Sequence, residues 1–228
     1  RTSRGLGDVY KRQTLESLND NTGTIALLSS GGIDGGSGTV LMRAANYAFG
    51  GADRTITTTG VLTIEPDADE NSFASSFDNQ YLNPVSVTGL TLGKSSNASA
   101  ITLSRAISLS GPVSIYGGSI DVNANITANS GNILLDADTG STLNQSSTGI
   151  LLDDAITIET VTSGNLTLIG RSGDTGSGFD GIDASSANTT TLRSAGNLTL
   201  QGYSYAASGS GRGVDLNNDV IAASGTVS

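Results

Sequence analysis

Gly131-Asn132-Ile133-Leu134-Leu135, Gly164-Asn165-Leu166-Thr167-Leu168 and Gly196-Asn197-Leu198-Thr199-Leu200 decide the fold. They begin alike and stand 33 and 32 residues apart. A second landmark keeps phase with them: Gly149-Ile150-Leu151, Gly181-Ile182-Asp183 and Gly213-Val214-Asp215, spaced by 32 residues both times. Two landmarks holding one period are the mark of a repeat architecture. Upstream the unit is shorter, and Gly89, Gly111 and Gly131 open units 22 and 20 residues apart.

Inside each unit the chain alternates. The unit from Gly89 holds LTL, AITLS and AISLS, and the unit from Gly111 holds PVSIYG, SIDVN and NITAN. Ile, Leu and Val at every second position, with Ser, Thr and Asp between them, make strands with one buried and one wet face. Three short strands in 20 to 22 residues fit one coil of a three-sided parallel β-helix. The longer units fit the same coil with an extended corner, such as Arg171 to Asp180, because corners face water and lengthen at little cost. A lone coil is not stable. Its few core side chains supply roughly 2 kcal/mol each, while ordering its backbone costs at least about 1 kcal/mol per residue. Stacking closes the ladders and completes the core. The expected core is Leu90, Leu92, Ile101, Leu103, Val113, Ile115, Ile120, Val122, Ile133, Leu135, Ile156, Ile158, Leu166, Leu168, Leu198 and Leu200. The competing all-β architecture, tandem antiparallel sandwiches, calls for Asn-Gly or Asp-Gly hairpins between alternating runs, and this chain has none; Asp180-Gly181 follows a loop.

Composition agrees. Of 228 residues 31 are Gly and 3 are Pro, 14 % are charged, and Cys, His and Trp are absent. Ser, Thr, Asn and Gly favour non-helical backbone. The net charge is −10, which repels a phosphate backbone and an anionic bilayer, so nucleic-acid binding and membrane insertion of this segment are not expected. The opening Arg1 to Gln13 carries +3 and the remainder −13. That basic opening lacks the Gly-strand rhythm and resembles translated sequencing-adaptor sequence. It is set aside as a non-native segment, leaving 14–228 as the β-helix. The stretch 67–84 breaks the rhythm and is expected to be an irregular loop against the side of the stack. Gly225-Thr226-Val227-Ser228 reads as the opening of another unit, so the chain is expected to be a fragment continuing at both ends into a longer protein.

GLTLGKSSNASAITLSRAISLSGPVSIYGGSIDVNANITA (89–128) and GNLTLIGRSGDTGSGFDGIDASS (164–186) resemble the repeats of filamentous-haemagglutinin-like exoproteins. The resemblance runs from about Gly23 to the end. It implies a right-handed β-helix shaft on a large Gram-negative surface adhesin, extracellular and of the two-partner-secretion kind. It also implies host-cell, glycan or matrix surfaces as partners. It names no ligand.

Without His or Cys there is no Ser-His-Asp triad, no thiol nucleophile and no ordinary zinc site. Carboxylate chemistry is what remains for an enzyme of the polysaccharide lyase or hydrolase kind. The pairs available are Asp153 with Asp154, Asp136 with Asp138, and Asp180 with Asp183. All sit at strand ends or turns, where Asp caps backbone amides, and the carboxylates look dispersed among the units. No catalytic residue is assigned, and an enzyme is not expected. Asp67, Asp69 and Asn71, with Asp78 at the closing position, begin like a calcium loop, but Ser72 stands where the usual Gly belongs. Calcium is therefore the one cofactor considered. Asn97, Asn125, Asn165, Asn188 and Asn197 open glycosylation triplets. Asn165 and Asn197 occupy matching repeat positions, which points to a stacked Asn ladder. Tyr203 and Tyr205 fall in one corner and Phe179 in the matching corner a unit earlier, so these three rings are the candidate ligand contacts.

Overall fold

The computed structural model describes residues 12–17, 22–27, 32–50, 54–67, 71–137, 147–153, 155–184, 189–205, 207–217 and 219–228. Among them there are strands, turns and bends and no helix. The strands come in threes, one triplet per coil. The first three coils hold β1 (Gln13–Ser17), β2 (Thr24–Ala26) and β3 (Ile33–Gly36); β4 (Val40–Ala44), β5 (Asn46–Ala48) and β6 (Arg54–Thr58); β7 (Val61–Glu65), β8 (Phe77–Asp78) and β9 (Leu82–Val85). The middle two hold β10 (Gly89–Leu92), β11 (Ile101–Leu103) and β12 (Ile107–Leu109); β13 (Val113–Tyr116), β14 (Ile120–Val122) and β15 (Ile126–Ser130). The last three hold β16 (Ile133–Ala137), β17 (Ile150–Leu152) and β18 (Thr157–Ser163); β19 (Leu166–Arg171), β20 (Ile182–Ala184) and β21 (Thr191–Ser194); β22 (Leu198–Tyr203), β23 (Val214–Leu216) and β24 (Val220–Ala223).

Every third strand belongs to the same sheet, and every pairing is parallel. The first side is an eight-stranded sheet in the order β1-β4-β7-β10-β13-β16-β19-β22. The second side is β2-β5 followed by β8-β11-β14-β17-β20-β23, and the third is β3-β6-β9 followed by β12-β15-β18-β21-β24. This is the stacked-sheet architecture of a parallel β-helix solenoid.

The two landmarks are two rungs of this stack. Val113, Ile133, Leu166 and Leu198 pair in sequence across β13, β16, β19 and β22. Ile120, Ile150, Ile182 and Val214 do the same across β14, β17, β20 and β23. Because the strand period is two, one register keeps a whole column of Ile, Leu and Val inside. All of the expected core residues are buried except Leu200, which is partly buried. Leu200 lies in the last coil, where its outer neighbour is the short run to Ser228, whose carbonyl accepts from the Leu200 amide.

The Gly-Asn of the first landmark has a structural cause. Asn165 N donates to Asn132 Oδ1 (2.8 Å), Asn197 N to Asn165 Oδ1 (2.9 Å) and Thr226 N to Asn197 Oδ1 (2.9 Å). Each Asn side chain caps the next coil's backbone at the turn into the first side. Gly164 precedes its Asn with φ +112°, and a Cβ there would run into the Gly131 carbonyl.

Within the stretch 67–84, expected as an irregular loop, residues 68–70 lie outside the described ones, and bends and turns alternate with two short strands. Phe77–Asp78 forms β8 at the head of the long second-side sheet, and Leu82–Val85 forms β9. Phe73 and Phe77 point inward and are buried. With Tyr47 and Phe49 they make a cluster with ring centroids 5.5 to 6.0 Å apart. The cluster sits where the second-side ladder breaks between β5 and β8. The alternation was invisible there because bulky rings take the place of a regular aliphatic column. Burial pushes the Tyr47 hydroxyl well above the ordinary phenol range, and that hydroxyl donates to the Glu65 carbonyl (2.8 Å).

Candidate functional site

The long corners of the last two full coils, 172–180 and 203–212, are built on each other. Ser172 N donates to the Tyr203 carbonyl (2.9 Å), and Tyr205 N donates to Ser172 Oγ (2.8 Å). Ser204 Oγ donates to the Phe179 carbonyl (2.9 Å). Farther out Ser177 and Ser208 form a parallel bridge. The corners therefore continue the solenoid's own hydrogen bonding outside the three sheets, as a lateral rib.

At the base of this rib Arg171 pairs in register with Tyr203 on the outer face of the first side. Its guanidinium carbon lies 5.9 Å from the Tyr203 ring centroid and 5.0 Å from that of Tyr205, within cation–π range of both. Gln201 Nε2 donates to the Tyr203 hydroxyl. Tyr205 remains 43 % exposed. Phe179 does not join the tyrosines. It lies over Gly176, whose φ of +131° and missing side chain leave room for the ring. The structure thus brings together two of the three expected contact residues and adds Arg171 and Gln201. Arg171 was legible only as the residue one coil below Tyr203, and its role depended on knowing the register.

The other flank of the rib is acidic. Asp183 and Asp215 stack on β20 and β23, and with Asp180 they bring one carboxylate oxygen each within 4.8 Å of the others. Asp180 is buried, and its Oδ1 accepts from Arg212 N. The Arg212 guanidinium pairs with Asp215. Asp78, Asp121, Asp183 and Asp215 share one outward column along the second side, with Thr102 and Leu151 between them. Of the carboxylates that looked dispersed in the sequence, Asp121 and Asp215 fall in this column, while Asp136 lies on the first side and Asp174 in a corner; the Asp that follows Gly-Ile and Gly-Val in the second landmark was the signal. Burial, with the charges of Asp153 and Asp78, raises the Asp121 carboxyl above its ordinary value against a hydrogen bond from Asn123. Burial, with Asp183 and Asp215, raises Asp219 against bonds from the amides of Thr190 and Asn217. Among the described residues, Asp180, Asp183 and Asp215 are the carboxylates close enough to share one cation.

The expected calcium loop lies partly outside the described residues. Asp69 lies outside them, as do Asp138, Asp154 and Asn188. Asp67 is buried, and Asn71 is exposed. Asp78 is committed elsewhere, accepting from Gln80 N (2.9 Å) and Ser104 Oγ (3.1 Å). The other four glycosylation triplets have their Asn side chains engaged. Asn97 is fully buried and donates to the Tyr116 carbonyl (2.8 Å), and Asn125 Oδ1 accepts from Thr157 N (2.8 Å). Asn165 and Asn197 belong to the ladder.

The fold and this rib define the class: a parallel β-helix solenoid with decorated corners. Compared with protein-family models, curated proteins and solved structures, the chain finds no match.

Proposed function

We propose that this chain is a shaft segment of a large exported bacterial surface adhesin of the filamentous-haemagglutinin-like kind, with the long corners as its contact surface. One observation carries the reading: coils of different length stack without interrupting the eight-stranded first side, and the described corners of the last two coils build a rib outside it. An uninterrupted ladder makes a stiff spacer, and a corner can vary without disturbing it. The partner is then a host-cell, glycan or matrix surface, and the protein acts outside the cell.

The test is attachment. Beads coated with the folded chain are expected to bind bacterial or epithelial cells more than beads coated with the heat-unfolded chain. Equal attachment sinks the adhesive part and leaves a passive matrix scaffold. The convergence of Asp180, Asp183 and Asp215 supports a second reading, a carbohydrate-cleaving β-helix enzyme. That reading requires new reducing ends from a polysaccharide panel, lost in Asp183→Asn.

A further inference from the structure

We infer that the Tyr203–Tyr205 corner binds a neutral, hydroxyl-rich carbohydrate. The inference rests on the reading of the corners as the contact surface and specifies the chemistry of what they contact.

Tyr205 is the one aromatic among the exposed large apolar side chains of the described residues. An open ring on a corner normally loses freedom on binding, and that loss weakens affinity. Here the ring is already restrained, by Arg171 at 5.0 Å and by the bond from its amide to Ser172 Oγ. Tyr203 is restrained by the same guanidinium and by Gln201. Two braced rings with an amide beside them offer flat apolar surface and a polar group that fixes orientation, the mixture that small-molecule sites use. The C–H faces of a sugar ring match the first and its hydroxyls the second. Two residues beyond Ser172, Asp174 holds a buried carboxylate oxygen, Oδ1, with no hydrogen-bond partner. A buried acceptor in that condition is completed by a guest hydroxyl or by water.

Charge selects the class of sugar. Asp174 and Asp180 lie in the adjoining corner and Asp183 just beyond it on β20, in a chain of net charge −10, and they repel an acidic polymer. Arg171, the cation at the base, has its charge turned toward the tyrosine rings.

Affinity electrophoresis of the full chain tests this in native gels containing β-glucan, galactomannan or dextran, with polygalacturonate as the acidic comparison. At least one neutral polymer is expected to retard the protein. Tyr205→Ala and Tyr203→Ala are each expected to weaken retardation by about tenfold or more, as for a central aromatic contact. Tyr205→Phe keeps the ring and is expected to retain it, as is Arg212→Ala on the acidic flank. Circular-dichroism melts of each variant separate lost binding from lost folding. Retardation by no neutral polymer, retardation unchanged in both alanine variants, or retardation by polygalacturonate alone overturns the inference. Bead attachment that survives periodate oxidation of cell-surface glycans also overturns it, by assigning the contact to protein, and leaves the adhesive shaft standing.

Discussion

At the scale of single residues, the side chains that matter most are short polar ones bonded from coil to coil. Asn165 accepts from Asn197 N and occupies the middle of a three-rung ladder. Asn165→Ala removes one such bond and is expected to cost about 1 kcal/mol in urea unfolding, the usual net worth of a hydrogen bond. Asn97→Ala is expected to cost more, about 1 to 3 kcal/mol, since it leaves buried partners unsatisfied around a side chain with no exposure. Asp121 and Asp219 work against the fold at neutral pH. Both carboxyls are raised above their ordinary value, chiefly by burial and secondly by neighbouring carboxylates. The native state then binds protons that the unfolded chain has released, so stability falls as pH rises through the window just above the ordinary carboxylate range. Asp121→Asn is therefore expected to raise the melting temperature at pH 7 by no more than a few degrees. The advantage disappears below pH 4, where both forms are neutral. A melting temperature lowered at pH 7 contradicts the sign.

At the scale of elements, the weak point is the junction between the second and third coils. The first-side sheet runs straight through, but the second side breaks between β5 and β8. The first and third sides continue across it through β4-β7 and β6-β9, and on the second side the join is aromatic: Tyr47, Phe49, Phe73 and Phe77, with edge-to-face and stacked contacts. Ala74 N still donates to the Ala45 carbonyl (2.9 Å). Phe77→Ala is expected to cost about 3 to 5 kcal/mol, the range for an aromatic removed from a packed core. A loss below about 1 kcal/mol would show that the rings merely fill space. The strands on either side were legible because Ile and Leu alternate in them. This junction was not, because Phe73 and Phe77 are four apart and Ala74, Ser75 and Ser76 between them mimic a loop.

At the scale of the whole molecule, stability is a sum over stacked neighbours, so the ends matter least. Removing Arg1 to Gln13 is expected to move the melting temperature by about a degree at most, since among its described residues the tie to the stack is Gln13 in β1, with its amide on the Thr39 carbonyl (2.8 Å). A loss of several degrees means that the basic opening packs on the solenoid. The same additive design explains the acidic second side. Coils stack residue over residue, so Asp78, Asp121, Asp183 and Asp215 come into one column.

The sequence by itself determined the strand period, the coil length, the placement of turn glycines and most of the core, because each depends on neighbours within a few residues or on one repeated spacing. It also foretold that Asn165 and Asn197 would stack. Tertiary structure alone decided which outward side chains meet. Arg171 and Tyr203 are 32 residues apart and touch only because β19 and β22 pair in one register. Tyr205 joins them because its corner bonds back to Ser172, while Phe179 turns away onto Gly176. A shift of one residue in that register would send Arg171 to the other face of the sheet, and no local pattern in the chain records which neighbour a surface residue will have.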